Sequence, residues 1–165
     1  MQAIINLYAS FNLWADKRIT DAVALMSEEK TKQELKSSFT SIHSTLIHLG
    51  NAQIAWTNRI HKVSVPDIAV TDMSHSTDFI VKRLLNLSTE WEKFMLSTTE
   101  VDLLKPVSYK TIRGEDFTEQ LFEIAMHVMN HATYHRGQMI TMMRELGETV
   151  LPRTDLIEYV RRRKD

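Results

Sequence analysis

Apolar residues recur along this chain at spacings of three and four, and only four glycines and three prolines interrupt them. That period predicts an all-α protein. A first helix is expected over residues 2–27, with Leu7, Phe11, Trp14, Ala22 and Leu25 on one stripe. A second covers 33–61 and carries Phe39, Ile42, Leu46, Leu49, Trp56 and Ile60. The segment from Lys62 to His75 contains Pro66 and has no helical period, so it reads as a connection long enough to cross a bundle. A third helix runs over 76–97, with Ile80, Leu84, Leu87, Trp91 and Met95 inward and Ser76 or Thr77 as its cap. Between 100 and 116 the period breaks. Pro106 to Lys110 alternates weakly and Gly114 marks a turn, which fits a short hairpin. The fourth helix, 117–147, is apolar on most sides and is expected to be buried. Gly147 ends it, Pro152 follows, and Thr154 is placed to cap a last short helix.

With 165 residues the chain is most simply one domain, 1–165, with length enough for a single core. Net charge is −1, so no global field draws nucleic acid or an acidic membrane. The run Arg161-Arg162-Arg163-Lys164 is a local exception and reads as a solvated helix end, its cations set favourably against the macrodipole. Cysteine is absent, which excludes disulfides, thiolate ligands and a cysteine nucleophile. The N-terminus has no basic leader, and no window reaches the ~18 apolar residues of a membrane span, so a cytoplasmic location without membrane partners is expected.

The candidate chemistry lies on the fourth helix, where His127, His131 and His135 stand four residues apart. Residues at that spacing stack one above the other, roughly 6 Å apart, close enough to grip one metal ion in pairs. The zinc-protease motif has a glutamate after its first histidine, whereas Val128 and Ala132 follow here, so the ligand spacing comes without the protease base. His127 and His135 are about 12 Å apart along the axis and cannot share an ion. One of the three is therefore not a ligand, and another helix must supply a third. On the second helix His48 shares a face with the small residues Thr45, Ala52 and Ala55, which leaves room for a cavity. His43 and His61 are expected at the surface and His75 in the connection. Asn12, between Phe11 and Trp14, is a polar group facing inward, either as a satisfied core amide or as part of a site.

Three stretches carry a resemblance to the DinB family. Phe11-Asn12-Leu13-Trp14-Ala15-Asp16-Lys17-Arg18 resembles its opening signature, and His48-Leu49-Gly50-Asn51-Ala52-Gln53-Ile54-Ala55-Trp56 its second-helix motif. Asn130-His131-Ala132-Thr133-Tyr134-His135-Arg136-Gly137-Gln138 is similar to its last-helix motif, and Leu146-Gly147, Pro152, Asp155 and Tyr159 fit the usual tail. The resemblance implies a four-helix bundle in up-down-down-up order, with the second-to-third connection crossing it and a small hairpin before the last long helix. It implies a divalent metal, usually zinc or nickel, on His48, His131 and His135, with His127 one turn away behind the ligands. Characterised relatives include thiol S-transferases using bacillithiol, mycothiol or glutathione, and a mycothiol-dependent isomerase; family members often form homodimers. Three readings follow: metal-dependent transfer of a low-molecular-weight thiol to a small electrophile, metal-dependent hydrolysis, or a non-catalytic metal- or ligand-binding bundle. Hydrolysis would be helped by a carboxylate base, and Glu123, one turn from His127, is expected to face solvent. Tyr134 and Arg136 are candidates to orient a substrate anion.

Overall fold

The computed structural model describes residues 1–63, 74–111 and 113–163. Four long helices form the body: α1 (Gln2–Val23), α3 (Ile42–His61), α4 (Thr77–Ser97) and α6 (Leu121–Glu145). Between them lie α2 (Glu28–Lys32), α5 (Glu100–Leu103), and strands β1 (Pro106–Lys110) and β2 (Asp116–Gln120); α7 (Leu156–Arg162) follows α6. Helices α1 and α3 each pack against both α4 and α6, so they occupy opposite corners.

Side-chain pairings fix the directions. Gln2 at the start of α1 donates to the Thr98 carbonyl beyond the end of α4, and Ser88 reaches Asp16, so these two helices run antiparallel. His43 meets Thr77, Gln53 meets the Leu87 carbonyl and His61 packs on Phe94, so α3 and α4 run parallel. Thr45 against Met142 and Trp56 against His127 set α6 antiparallel to α3. The order is up-down-down-up, and the parallel pair α3 and α4 requires a crossing connection. Residues 64–73 of that connection lie outside the described residues.

Several boundaries differ from the sequence expectation. Helix α3 begins at Ile42 rather than near 33, because Ser41 and Ser44 close a reciprocal capping box (3.0 Å) that fixes its first turn. Phe39 therefore sits in the approach to the helix. On α1 the buried face is Ile5, Ala9, Phe11, Ala15, Ile19 and Val23, while Leu25, past the helix end, is 91% exposed. The hairpin extends to Gln120, with Pro106 opposite Gln120 and Lys110 opposite Asp116, so it takes the residues expected to open the last helix. Gly147 terminates α6 at φ +83°, with its own N–H and that of Glu148 bonding back to Arg144 and Met143, a conformation glycine adopts without Cβ strain. Asp155, not Thr154, occupies the cap position of α7.

The core has two apolar clusters. One gathers Ile19, Val23, Ile42, Leu46, Ile80, Leu84, Met139 and Met142; the other gathers Ile5, Ala9, Trp91, Met95, Leu121, Ile124 and Met129. Between them each long helix contributes polar residues: Asn12 and Asp16 from α1, His48 and Gln53 from α3, Ser88 from α4, and His131, His135 and Arg136 from α6. This polar layer contains the candidate site.

Candidate metal centre

The histidines of α3 and α6 meet in that layer. His131 Nε2 lies 3.1 Å from His48 Nε2 and 3.1 Å from His135 Nε2, and one ligating nitrogen from each ring falls within 4.8 Å of the others. The helical spacing stacks His131 and His135, and the antiparallel course of α3 brings His48 across from both. His135 is 4% exposed and its Nδ1 stands 2.7 Å from Gln138 Oε1. Gln138 Oε1 can only accept, so Nδ1 carries the proton and the Nε2 lone pair faces the other two rings. Phe39 stacks on His48 with centroids 4.1 Å apart and presents to the His135 ring at 5.4 Å, covering that flank from water.

Electrostatics keep the rings neutral. Burial, then the neighbouring His135, lowers His48 to about 4. Burial followed by His135, His48 and His127 lowers His131 to about 4. Burial also lowers His135, against the opposing effect of the hydrogen bond it donates to Gln138. Imidazoles neutral at pH 7 with converging lone pairs are the state in which histidine ligates a cation.

The other sequence candidates lie elsewhere. His127 is exposed, its ring 5.8 Å from that of His131 and edge-on to Trp56 at 5.0 Å, outside the cluster. Asn12 is buried, its Nδ2 donating to Asp16 Oδ2 (3.1 Å) while its Oδ1 accepts from Arg136 Nη1 (2.8 Å). Arg136 is 1% exposed and ion-paired with Asp16 at 2.7 Å, with Nη2 donating to Thr133. Its guanidinium is turned into the core and engaged there, which does not fit the expected contact with a substrate anion. Tyr134 is 61% exposed. His61 is exposed as expected, but His43 is fully buried, a correction: Thr77 Oγ1 contacts its Nδ1 at 3.0 Å where α3 and α4 pack together.

Sequence reasoning missed Asp16. Its two oxygens take Arg136, Asn12 and Ser88 (2.7 Å), making it the hub of the layer behind the histidines. Its position four residues after Asn12 on the same helix face was the available signal. A narrow pocket of about 10 Å³ beside His131 is lined by Asn12, Asp16, Gln53, Trp56 and Ala132 among others.

The fold and the cluster together define a helical bundle with three imidazoles suited to hold one metal ion at a seam between α3 and α6. The chain belongs to the DinB family, whose sequence profile matches residues 1–163. It is similar to Protein DinB of Bacillus subtilis (strain 168), with 24% identity over 149 residues covering 86% of each chain. Its fold resembles the solved structure of YfiT from Bacillus subtilis, described as a probable metal-dependent hydrolase with an unusual four-helix bundle topology. That match has a TM-score of 0.59 and 12% identity, and it covers 86% of this chain and 87% of that one. No helix of the described residues is long and apolar enough to cross a membrane.

Proposed function

We propose that this chain is a divalent-metal-dependent enzyme, with zinc or nickel on His48, His131 and His135, that transfers a low-molecular-weight thiol to a small electrophile. The observation that carries the reading is three converging, neutral imidazole nitrogens with no carboxylate among them in the described residues. When bound, a divalent cation on neutral imidazoles keeps its charge and acidifies a coordinated thiol or water, the latter towards ~7. The protein's own residues hold and orient the ligands: Gln138 fixes the His135 tautomer and Phe39 shields the flank. In the transfer the thiol proton passes to solvent. A sulfur–carbon bond forms as the electrophile's leaving group departs with its electron pair.

Two features favour thiol over water as the nucleophile. The chain has no cysteine, so a nucleophilic sulfur would arrive with the cosubstrate. Asp16, the carboxylate lining the adjacent pocket, is fully engaged, and Glu123 is exposed and caps the Gln120 N–H at 2.8 Å, so neither is free to deprotonate water. The description of YfiT supports the second reading, metal-dependent hydrolysis. Zinc- or nickel-loaded protein should conjugate at least one of bacillithiol, mycothiol, glutathione or simpler thiols to a test electrophile, in a His131-dependent way. Loaded protein that conjugates none of them, yet hydrolyses esters or amides with the same dependence, would transfer the assignment to the hydrolase reading. We also propose a homodimer, supported by the exposed apolar side chains Ile4 on α1 and Met126 on α6. A sedimentation mass near one 19.2 kDa chain at micromolar concentration would exclude it.

A further inference from the structure

Beyond the histidine cluster, the seam between α3 and α6 continues into a built aromatic wall that ends in a cation. Arg59 lies eleven residues after His48, which returns it to within about 20° of the same face of α3, some 16 Å further along the axis. Its guanidinium carbon sits 4.5 Å from the Trp56 ring centroid and 5.1 Å from that of Tyr109. Those two rings meet edge to face at 5.1 Å. Trp56 also touches His127, and the His127 ring is 5.8 Å from His131. A continuous line of rings therefore joins the guanidinium to the histidine cluster. Tyr109 comes from β1, so the hairpin holds one side of the clamp.

Among the described residues the Arg59 guanidinium contacts rings but no carboxylate. The neighbouring carboxylate, Glu119, forms no ion pair with Arg59; burial and then Glu119 raise the Tyr109 hydroxyl. Contact with two rings uses none of arginine's N–H donors in a carboxylate pairing, because the rings offer a π surface and no carboxylate acceptor. The result is a guanidinium held beside two rings and paired with no carboxylate among the described residues, a group whose N–H fork can take a carboxylate in two parallel hydrogen bonds. His127 fits this picture as a wall residue between anchor and cluster, which accounts for its place outside the triad.

We propose that Arg59, held by Trp56 and Tyr109, anchors a carboxylate at the far end of a substrate or cosubstrate whose reacting atom lies at the histidine cluster. The ligand class is then an elongated small molecule, on the order of 10 to 15 Å long, with a carboxylate remote from its reacting end. The anchor rests on the reading of the triad as the reaction centre, and two separate measurements keep the two claims apart.

The first uses the metal-free full-length chain and does not involve the centre. Titration with succinate should move the Arg59 Nε–H and Trp56 indole resonances saturably, and uncharged succinamide should not. Arg59→Gln should weaken succinate binding at least tenfold, and Arg59→Lys, which keeps the charge but loses the fork, should fall between. Equal succinate binding by Arg59→Gln, or no response in the unmodified chain, overturns the anchor. A response that emerges only in Glu119→Gln would show that Glu119 occupies Arg59 in solution, and would overturn it equally. The second measurement follows the visible spectrum of cobalt-loaded protein with 11-mercaptoundecanoate, whose carboxylate lies a full ligand length from its thiol, and with the uncharged 11-mercaptoundecanol. The anionic thiol should bind at least tenfold more tightly, and Arg59→Gln should erase that preference while leaving the neutral thiol unchanged. Thiol coordination without the preference refutes the anchor alone. Succinate binding at Arg59 with no coordination of either thiol upholds the anchor and refutes the thiol reading.

Discussion

Gln138 decides which nitrogen of His135 carries the proton, and with it the direction of the lone pair. Removing such a partner lowers metal affinity by ~10–100-fold. Gln138→Leu is therefore expected to weaken zinc binding within that range, as measured by competition with a chelating dye. His131→Ala should abolish binding, because His131 is the ring both others approach, while His127→Ala should leave zinc affinity within about threefold of the unaltered chain, the metal-bearing rings being untouched. Helix arithmetic alone treats His127 with His131 and His131 with His135 as equivalent pairs. What separates them is the neighbouring helix, which places His48 beside the second pair and Trp56 against His127. Position along one helix does not encode which part of its neighbour it will face, so the residues alone could not choose between the pairs. The same holds for Asp16 and Arg136, 120 positions apart. Removing one partner of such a buried pair typically costs ~3–5 kcal/mol, so Arg136→Met should shift urea unfolding of the apoprotein by about that amount. A loss under ~1 kcal/mol would mean that Asp16 escapes to water in the variant.

Helix α3 carries one ligand of the triad and the anchor proposed above, so its first turn matters beyond local stability. Ser41→Ala removes half of the capping box and should cost about 1 kcal/mol in urea unfolding; an unchanged midpoint would show that the cap contributes nothing to the folded state. Elements whose ends carry strong chemical punctuation were legible in the sequence. Ser76 opens α4 with its side chain on the Phe79 N–H, and Gly147 closes α6. Boundaries set by weaker signals were not. Residues 33–40 contain no glycine or proline, so apolar periodicity ran on through them, and a box made from two serines does not have the usual glutamate signature. The α1 stripe went astray because its core face includes small Ala9 and Ala15 and polar Asn12 and Asp16, which hydropathy scores as surface. The hairpin was legible as a break in period. Its extent was not, because Phe117 to Gln120 alternate too weakly to distinguish a strand from the first turn of a helix.

Across the whole molecule, a polar layer separates two apolar clusters, and without a cation that layer has three close imidazoles that must all stay neutral. His48 and His131 titrate near 4 in the folded chain, against about 6.5 when unfolded. The unfolded state therefore binds more protons between those values, and stability rises with pH across the window. The stabilising contribution is fully present above about pH 6.5 and is lost progressively as the pH falls towards 4. The Tm of the apoprotein should accordingly decline over that interval, and His131→Asn should flatten part of the decline by removing one of the titrating rings. A bound ion adds stability by mass action, about 4 kcal/mol when free metal exceeds its Kd a thousandfold. For a chain of this length that corresponds to a rise in Tm of roughly 10 °C. Protons compete for the same lone pairs, and with folded-state values near 4 the increment should persist from pH 7.5 down to pH 5 and be lost only as the pH falls through 4. Scanning calorimetry with zinc and with EDTA over pH 3.5 to 8 measures both effects. An increment that survives undiminished at pH 3.5 would mean that the ion binds somewhere other than these imidazoles.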